Sequence, residues 1–268
     1  MSNSSTPPGL PGLQCHDLTI EVAGRTLVAD LNLTAAPGQL ICVLGTNGVG
    51  KTLLLHTLAG LRPAGHGTIT LCGSPLASLP RKAIAQRLGL LLQLHDDAFP
   101  LTVLETALTG HFARTGWRGW HRGAERRAAL AALAAVDLAG FEARSITTLS
   151  GGERERLAIA TLLVQNPQVW LLDEPANHLD PRHQLAAFEL LRRQADSGRS
   201  VMATVHNPAL AMRFADAALL LFGDGSWAFG PATELLTIEQ LEKLYDTPFH
   251  RYTGATPANP GATVLLPL

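Results

Sequence analysis

The sequence predicts an α/β fold with three parts: a core of strands and helices, an antiparallel β subdomain, and an α-helical subdomain inserted into the core. Short apolar runs such as "QLICVL" and "VWLL" are typical of buried parallel strands. "CHDLTIEV" and "RTLVADLNLTA" are longer strand patterns joined at Ala23–Gly24, which predicts an antiparallel pair. From about Asp96 to Leu149 the strand pattern gives way to helical segments such as "AERRAALAALAAVDL".

Further strand patterns lie on both sides of the helical insert, which therefore interrupts one strand-rich domain. "GTITLCG" and "RLGLLLQ" precede the insert, and "SVMATVH", "AALLLFGDG" and "SWAFG" follow it. We predict one domain over residues 13–254, with the helical subdomain at about residues 96–160. Residues 1–12 and 255–268 are rich in Pro, Gly, Ser and Ala, and we predict that they are flexible tails.

Composition narrows the function classes before any motif is considered. A formal net charge of −1 over 268 residues gives no electrostatic reason to expect nucleic-acid binding. The three cysteines are scattered without a C-x-x-C pair, which fits a reducing compartment. The first residues lack the pattern of a secretory signal, and no apolar run approaches the roughly 18 residues of a membrane span. We therefore expect a soluble, cytoplasmic protein.

The segment "GTNGVGKT" fits the pattern Gly-x-x-x-x-Gly-Lys-[Ser/Thr] and lies between a predicted strand and a helix-compatible run. Glycines let the backbone curl so that successive N–H groups point inward, and the helix amino terminus adds partial positive charge. Lys51 is expected to reach the β- and γ-phosphates of a nucleotide, and Thr52 to ligate Mg²⁺. The alternative is a glycine turn with an exposed lysine, which the flanking elements disfavour. The residues predicted to hold phosphates are Gly45, Thr46, Asn47, Gly48, Val49, Gly50, Lys51 and Thr52.

Two adjacent carboxylates, Asp173 and Glu174, follow the apolar strand "VWLL". Neighbouring side chains on a strand point to opposite faces, so we expect the two to have different roles. An acid at a strand end holds Mg²⁺ in phosphate-loop enzymes, and we assign this role to Asp173. Glu174 is then expected to polarise the attacking water. Asp-Glu-Pro is also a turn sequence, and a turn without function is the alternative.

The segment "TLSGGERERLAIATLLV" predicts a helix that begins near Gly152. Ser150 can cap its amino terminus, and Glu153 stands at the spacing of a capping box. Two glycines at this cap, where alanine would stabilise the helix by roughly 1 kcal/mol, indicate a close backbone approach. A helix amino terminus with a serine hydroxyl and free N–H groups is a second phosphate-binding device, although the alternative is simply a well-capped helix. A single nucleotide need not meet both devices in the same subunit.

The motifs together resemble the nucleotide-binding subunit of the ATP-binding cassette family. They occur in the family's order over about residues 14–250, as "GTNGVGKT", Gln93 in "LLLQ", "LSGGE", "VWLLDEP", "NHLD" and "TVH". The resemblance implies an α/β fold with a RecA-like phosphate-loop core, and it implies ATP hydrolysis with Mg²⁺. It also implies a head-to-tail dimer, in which the phosphate loop of one subunit and "LSGGE" of the other hold the same ATP.

The resemblance assigns catalytic roles to residues that have ordinary alternatives when each is considered alone. Glu174 is implied to be the base, and His206 to contact the γ-phosphate and orient the water. Gln93 is implied to sense the γ-phosphate and Mg²⁺ and to link the core to the membrane partner. Thr52, Gln93 and Asp173 are the implied Mg²⁺ contacts. A lone glutamine at a strand end is usually a surface group, and a lone histidine after a strand is usually a core or loop residue.

A second set of implied roles concerns the subunit interface. Asp180 is implied to close this interface. "HLDPRH" contains two histidines, but the spacing of His178 and His183 is poor for one face of a helix. We therefore expect no metal other than the Mg²⁺ that accompanies ATP. The implied contacts to the ATP of the opposite subunit are Ser150, Gly151 and Gly152.

One departure from the family pattern concerns the adenine base. The family usually has an aromatic residue near the first strand turn, where it stacks on the base. Val22 stands there in "LTIEVAGRT", and the first aromatic residue of the chain is Phe99. Base–aromatic stacking contributes roughly 1–3 kcal/mol. We predict weak adenine selectivity, or a substitute contact from Val22 and Arg25.

The chain holds one cassette without a predicted membrane span, which implies that a multi-span permease is a separate chain. "FPLTVLETALTGH", "NHLDPRHQ" and "HFARTGWRGWHRGAERR" resemble the importer branch that serves iron–siderophore, haem and cobalamin uptake. This branch implies a periplasmic substrate-binding protein and a peripheral position on the cytoplasmic face of the inner membrane. The alternatives are a non-transport cytosolic cassette ATPase, for example in iron–sulfur assembly, and the ATPase subunit of an export or release complex.

The last of these segments is rich in arginine and histidine. Its ordinary interpretation is a solvated face. The sharper hypothesis is docking against a permease loop with Trp117 and Trp120 as anchors, because Trp and Arg are enriched at interface hot spots. The arginines and histidines, with Glu125 as the only acid among them, are His111, Arg114, Arg118, His121, Arg122, Arg126 and Arg127.

Overall fold

The structure, a computed structural model, describes residues 12–92, 101–115, 123–256 and 259–267. Several predictions fall on residues outside these ranges. They concern the amino-terminal tail up to residue 11, the Mg²⁺ and γ-phosphate contact Gln93, and part of the arginine-rich insert, namely Trp117, Arg118, Trp120, His121 and Arg122.

Strands and helices alternate through most of the described chain. The strands are β1 (Leu13–Val22), β2 (Arg25–Ala35), β3 (Leu40–Leu44), β4 (His66–Leu71), β5 (Ser74–Pro75), β6 (Leu88–Leu91), β7 (Val169–Leu172), β8 (Ser200–Thr204), β9 (Ala217–Leu221), β10 (Trp227–Pro231), β11 (Phe249–Thr256) and β12 (Asn259–Pro267). The helices are α1 (Lys51–Leu58), α2 (Arg81–Arg87), α3 (Val103–Leu108), α4 (Phe112–Thr115), α5 (Gly123–Ala134), α6 (Gly151–Gln165), α7 (Pro181–Asp196), α8 (Pro208–Phe214), α9 (Ala232–Leu235) and α10 (Ile238–Tyr245). Short 3₁₀ turns lie at Leu76–Ser78, Thr109–His111 and Ile146–Thr148.

Six strands form the central sheet in the order β10-β9-β3-β8-β7-β6. The five strands from β9 to β6 are parallel, and β10 pairs antiparallel with β9 at one edge. Every residue of β3, β7, β8 and β9 is buried, as expected for a parallel sheet that is covered on both faces. The predicted α/β core is confirmed.

Strand β3 divides two hydrophobic cores, because its side chains alternate between the faces of the sheet. Leu40, Cys42 and Leu44 belong to the core that includes the helices of the insert. Ile41 and Val43 belong to the core beneath α1 and the antiparallel sheet. The phosphate loop leaves the carboxyl end of this strand, so it starts from a point that is packed on both sides.

A second sheet of four strands has the order β2-β1-β4-β5 and is antiparallel. Val22 pairs with Arg25 across the β1–β2 turn. Ala23 and Gly24 have φ angles of 51° and 77° there, which match the positive φ values that a type I′ hairpin turn requires at both positions. The predicted antiparallel β subdomain is confirmed.

The helical subdomain lies between β6 and β7, where the sequence predicts an insert. Helices α3, α5 and α6 pack on one another. Small and branched side chains fill the space between them: Ala107 of α3, Ala129 and Leu133 of α5, and Leu157 and Ala160 of α6 are buried. The alanine-rich helix predicted from "AERRAALAALAAVDL" is thus a packed helix.

The end of the chain differs from the predicted flexible tail. Strands β11 and β12 form an antiparallel hairpin, with Phe249 opposite Pro267 and Arg251 opposite Leu265. Phe249 and Leu265 are buried in the main core, and β12 contacts α8. Burial of these two apolar side chains against the body of the protein fixes the hairpin, even though the segment between them is rich in Gly, Pro and Ala.

Within the described ranges, no helix combines the length and the apolar character needed to cross a membrane.

Candidate active site

The phosphate loop connects β3 to α1 at the carboxyl end of the central sheet. Gly48 and Gly50 have φ angles of 77° and 111°, a region that favours glycine. Gly45 is required for a different reason, because an added Cβ would lie 2.8 Å from the carbonyl oxygen of Leu221. The sequence therefore places glycine where the backbone must curl and where it approaches β9 closely.

Lys51 lies at the first position of α1 and is 5% exposed. Its Nζ donates hydrogen bonds to the carbonyl oxygens of Gly45 at 2.8 Å and Thr46 at 3.2 Å. Burial lowers the pKa of the Lys51 ammonium, and the negative charges of Glu174 and Asp173 partly offset this effect. The ammonium is thus held over the loop, where a phosphate would replace or share its carbonyl partners.

Asp173 is buried, with both carboxylate oxygens occupied by hydroxyl donors. Thr52 Oγ1 donates to Oδ2 at 2.6 Å, and Thr204 Oγ1 donates to Oδ1 at 2.8 Å. The Asp173 N–H donates to the carbonyl oxygen of Leu91 on β6 at 2.8 Å. The predicted Mg²⁺ residues Thr52 and Asp173 are therefore brought into direct contact.

Glu174 does not continue the strand, which differs from the sequence-based expectation. β7 ends at Leu172, and Glu174 has a φ angle of 51°, in the left-handed region. Its N–H donates to Thr204 Oγ1 at 2.8 Å. This turn, and not strand alternation, separates the two carboxylates. Asp173 faces Thr52, whereas Glu174 faces His206.

The Glu174 carboxylate has partners on both oxygens. Oε1 forms a short contact with His206 Nε2, and Oε2 accepts a hydrogen bond from Asn177 Nδ2. These side chains line a small cavity of about 60 Å³ at the end of β8, together with Thr204. The cavity is large enough for one or two water molecules. A carboxylate and an imidazole thus face a space that can hold water, between the loop after β7, helix α7 and the segment from the end of β8 into α8.

Helix α6 begins as the sequence predicts. Ser150 caps it, and the capping box is complete: Ser150 N–H donates to Glu153 Oε2 at 2.7 Å, and Glu153 N–H donates to Ser150 Oγ at 3.3 Å. The two glycines differ in their surroundings. A Cβ on Gly152 would lie 3.2 Å from the carbonyl oxygen of His178, whereas one on Gly151 would lie 3.9 Å from its nearest neighbour, His178 Cβ. Only Gly152 has a close approach within its own chain.

Asp180 caps α7 in the same way. Its Oδ1 accepts the N–H of His183 at 3.0 Å, and its Oδ2 pairs with His183 Nδ1 at 2.7 Å. The N–H and ring hydrogen bonds from His183 hold the pKa of the Asp180 carboxyl below its ordinary value. Asp180 therefore carries its negative charge at the amino terminus of α7, where the helix dipole favours it.

The structure thus brings the predicted residues into two groups. The first group contains the phosphate loop, Asp173, Glu174 and His206. The second group contains the start of α6, from Ser150 to Gly152, and Asp180. Sequence reasoning did not assign three residues: Thr204, which joins the two acids of the first group, and Asn177 and Glu155, which connect the first group to the second. Thr204 and Asn177 stand inside the quoted motifs "TVH" and "NHLD", and Glu155 lies two positions beyond "LSGGE".

The residues present fit a Mg²⁺ site. A hydroxyl oxygen and a carboxylate oxygen lie 2.6 Å apart, between Thr52 and Asp173, at the amino terminus of α1. Mg²⁺ prefers hard oxygen ligands and is usually bound by one or two protein groups together with phosphates and water. The donor set agrees with this chemistry.

A comparison with protein families matches residues 28–177 to the ABC transporter family. Among curated proteins, the hemin import ATP-binding protein HmuV of Streptomyces coelicolor is 35% identical over 257 residues, which cover 93% of this chain and 91% of that protein. HmuV of Bradyrhizobium diazoefficiens is 39% identical over 234 residues, which cover 84% of this chain and 85% of that protein.

Solved structures give the same fold. A chain from an inward-facing transporter described as of the metal-chelate type superposes with a TM-score of 0.84 at 26% identity, over 96% of this chain and 98% of that chain. A nucleotide-free ATP-binding cassette of an ABC transporter superposes with a TM-score of 0.74 at 18% identity, over 89% and 96% of the two chains. The second likeness concerns the fold alone.

Proposed function

The chain belongs to the ABC transporter family, and we propose that it powers the import of hemin or of a chemically similar iron chelate. It is an ATP-binding ATPase subunit of an import system that works with membrane permease partners. Curated relatives at 32–39% identity are named for hemin import, and this supports the choice of cargo.

The arrangement of Glu174 carries the hydrolytic assignment. Its carboxylate is held between His206 and Asn177, and it is near enough to Lys51 of the phosphate loop for its negative charge to offset part of the burial effect on the pKa of that ammonium. We infer that Glu174 accepts the proton of the attacking water and that His206 orients this water and contacts the γ-phosphate. A general base must lie within hydrogen-bond reach of the proton that it removes, and a water bound to the Glu174 carboxylate would meet that condition.

The phosphate loop and Lys51 would bind the triphosphate. Backbone N–H groups of the loop and the ammonium of Lys51 would provide positive potential at the amino terminus of α1. Thr52 and Asp173 would hold Mg²⁺, which neutralises phosphate charge when it is bound. Thr204 donates a hydrogen bond to Asp173 Oδ1 and so holds the carboxylate in place, with Oδ2 directed at Thr52.

The second group of residues would complete the site of a partner subunit. In a head-to-tail dimer, Ser150 and the exposed start of α6 would meet the nucleotide on the phosphate loop of the other copy. The dipole and free N–H groups of a helix amino terminus suit a phosphate. Gly151 supports this assignment, because no described residue comes closer than 3.9 Å to a Cβ added there. Asp180, at the start of α7, would lie at the same interface.

The proposal places the chain on the cytoplasmic face of the cell membrane, bound to a multi-span permease. A periplasmic substrate-binding protein would deliver the iron chelate to that permease. A reconstituted complex with its permease in lipid vesicles tests the cargo directly. We expect loaded hemin-binding protein to stimulate ATP hydrolysis more than the same system presented with cobalamin or a ferric siderophore. Equal or greater stimulation by either competitor would overturn the assignment to hemin.

The replacement Glu174→Gln tests the hydrolytic role. We expect it to abolish ATP hydrolysis and to accumulate an ATP-bound dimer, measured by phosphate release and size-exclusion chromatography. The matched control is Glu234→Gln, which makes the same change at an exposed glutamate of α9 and is expected to leave both measurements unchanged. Hydrolysis by Glu174→Gln at the wild-type rate would show that Glu174 is not the base.

A further inference from the structure

Glu155 is a buried carboxylate that the proposed reaction does not yet use. It lies on α6, one turn after the glycines that begin the helix, and is 6% exposed. Its Oε1 accepts the N–H of Asn177 at 3.2 Å, and its Oε2 accepts the N–H of His178 at 3.1 Å. Burial raises the pKa of Glu155, while these hydrogen bonds and the nearby His178 ring act in the opposite direction.

The loop that Glu155 holds is the loop that contacts the proposed base. Asn177 donates its N–H to Glu155 and its side-chain Nδ2 to Glu174 Oε2. The other oxygen of Glu174 faces His206. A single residue, Asn177, therefore joins a carboxylate on α6 to the carboxylate of the active site.

The start of α6 also packs directly on this loop. The Cβ position of Gly152 is 3.2 Å from the carbonyl oxygen of His178 and 3.3 Å from Leu179 Cδ2. Glu155 contacts the same segment from the next turn of the helix. The first two turns of α6 and residues 177–179 are thus joined at two levels, by backbone packing and by two hydrogen bonds.

We propose that Glu155 is a positioning residue that couples the start of α6 to the catalytic Glu174 through Asn177. This inference rests on the proposed function, in which the start of α6 meets the nucleotide of the partner subunit. When the partner's nucleotide fixes α6, Glu155 fixes Asn177, and Asn177 holds the Glu174 carboxylate against His206. The position of the base in each subunit would then depend on the same helix turn that meets the nucleotide of its partner.

A carboxylate suits this role better than other side chains. Two backbone N–H groups from consecutive residues require two acceptor atoms, and a carboxylate supplies an acceptor on each oxygen. Glutamine supplies only one oxygen, so it can satisfy one of the two N–H groups. Alanine satisfies neither: the His178 N–H loses its acceptor, and the Asn177 N–H keeps only its 3.3 Å contact with the carbonyl oxygen of Glu174. The series Glu155, Glu155→Gln and Glu155→Ala therefore removes the link in steps.

The test compares ATP hydrolysis by these variants in the full-length protein. We expect Glu155→Ala to lower kcat by about tenfold or more, as when a catalytic group is misplaced. The dissociation constant for a non-hydrolysable ATP analogue should stay within about twofold, because the phosphate loop is unchanged. Glu155→Gln should lie between Glu155→Ala and wild type. The control Glu242→Ala, which removes a carboxylate from the N–H of Phe249 on the carboxyl-terminal hairpin, should keep the wild-type kcat.

A double-mutant cycle separates positioning from general destabilisation. If Glu155 acts through Asn177, the kcat loss in Glu155→Ala and Asn177→Ala together should be no greater than in the more damaged single variant. Additive losses, or a wild-type kcat in Glu155→Ala, would overturn the proposal. Glu174→Gln is measured in parallel. If this variant hydrolyses ATP at the wild-type rate, the proposed base is wrong. If Glu174→Gln is inactive while Glu155→Ala is fully active, only the coupling through Glu155 is refuted.

Discussion

Thr204 joins the two acids of the site through one hydroxyl group, most directly by its 2.8 Å hydrogen bond to Asp173 Oδ1. The same oxygen accepts the N–H of Glu174 at 2.8 Å. Thr204 is fully buried at the end of β8, so neither hydrogen bond competes with water. One side chain thus orients the proposed Mg²⁺ ligand and holds the backbone of the proposed base in its left-handed turn.

The replacement Thr204→Val tests this arrangement. Valine keeps the shape of the side chain, but it leaves the buried N–H of Glu174 without an acceptor. We expect the free energy of unfolding to fall by about 1–3 kcal/mol, measured by denaturant titration. We also expect kcat for ATP hydrolysis to fall by about tenfold or more, because both acids lose a support.

Thr204→Ser is the matched control, since serine retains the hydroxyl and removes only a methyl group. It should keep most of the activity that Thr204→Val loses. If valine supports wild-type hydrolysis in a folded protein, Thr204 has no positioning role.

Gly151 gives a test of the head-to-tail dimer that does not depend on stability. An added Cβ would make ordinary van der Waals contact with His178 Cβ at 3.9 Å, and alanine is favoured over glycine in a helix by up to about 1 kcal/mol. We expect Gly151→Ala to keep or slightly raise the melting temperature of the isolated subunit. If Gly151 approaches the partner's nucleotide closely, the same variant should lose most ATP-dependent dimerisation and hydrolysis.

The comparison variant is Gly152→Ala, whose Cβ would press on the carbonyl oxygen of His178 at 3.2 Å. This variant should lower the melting temperature as well as the activity. Wild-type hydrolysis by Gly151→Ala would count against a close contact at the subunit interface. A variant that lowers both the melting temperature and the rate of ATP hydrolysis disturbs packing within the chain. A variant that lowers only the rate disturbs a contact between chains.

The sequence predicts the parts of the site that are contiguous, and it misses those that depend on distant contacts. The phosphate loop and the capping box of α6 are local patterns, so spacing alone indicates their conformation. Thr204 reads as an ordinary β-branched residue of a buried strand, and its contact with Asp173 spans 31 positions. Glu155 reads as one more polar residue on a helix, and its contact with His178 spans 23 positions.

Two local expectations failed for a related reason. The pattern "VWLLDEP" predicts a strand that continues to Glu174. Glu174 instead has a φ angle of 51°, and its N–H donates a hydrogen bond to Thr204 on the neighbouring strand. The carboxyl-terminal segment has the composition of a loose tail, yet burial of Phe249 and Leu265 fixes it as a hairpin. Tertiary contacts favour both conformations, although the turn at Asp-Glu-Pro is also the alternative that the local sequence indicates.

The lowered pKa of Lys51 predicts a proton coupling to ATP binding. Burial lowers the pKa of the ammonium in the free protein. The negative charge of bound phosphates would raise it again. At a pH between these two pKa values, Lys51 is neutral in the free protein and protonated in the ATP complex. ATP binding should therefore take up a proton. The affinity for ATP should fall as the pH rises through this interval.

Calorimetric titration at a series of pH values from about 8 to 10.5, in two buffers of different ionisation enthalpy at each pH, measures this uptake, since ordinary histidines are already neutral there. The expected result is a buffer-dependent binding enthalpy that corresponds to net proton uptake. Lys51→Arg provides the control, because its guanidinium stays protonated and should abolish the uptake in whatever binding remains. A binding enthalpy that is independent of buffer would refute the coupling.

The predicted contact with the adenine base lies at the first hairpin turn. Val22 and Arg25 pair across the first hairpin turn, where the family usually has an aromatic residue. The Arg25 guanidinium donates to the carbonyl oxygen of Gly223 at 2.9 Å, and the Cβ position of Gly223 lies 3.3 Å from Val49 in the phosphate loop. Arg25 is therefore hydrogen-bonded to a segment that contacts the phosphate loop, and a guanidinium can stack on a base without selecting its hydrogen-bonding edge.

We expect similar kcat/KM values for ATP and GTP, and we expect Arg25→Ala to raise KM for both nucleotides by a similar factor. Val22→Tyr should restore stacking and lower KM. A strong preference of the wild-type protein for ATP, or an unchanged KM in Arg25→Ala, would show that another part of the chain recognises the base.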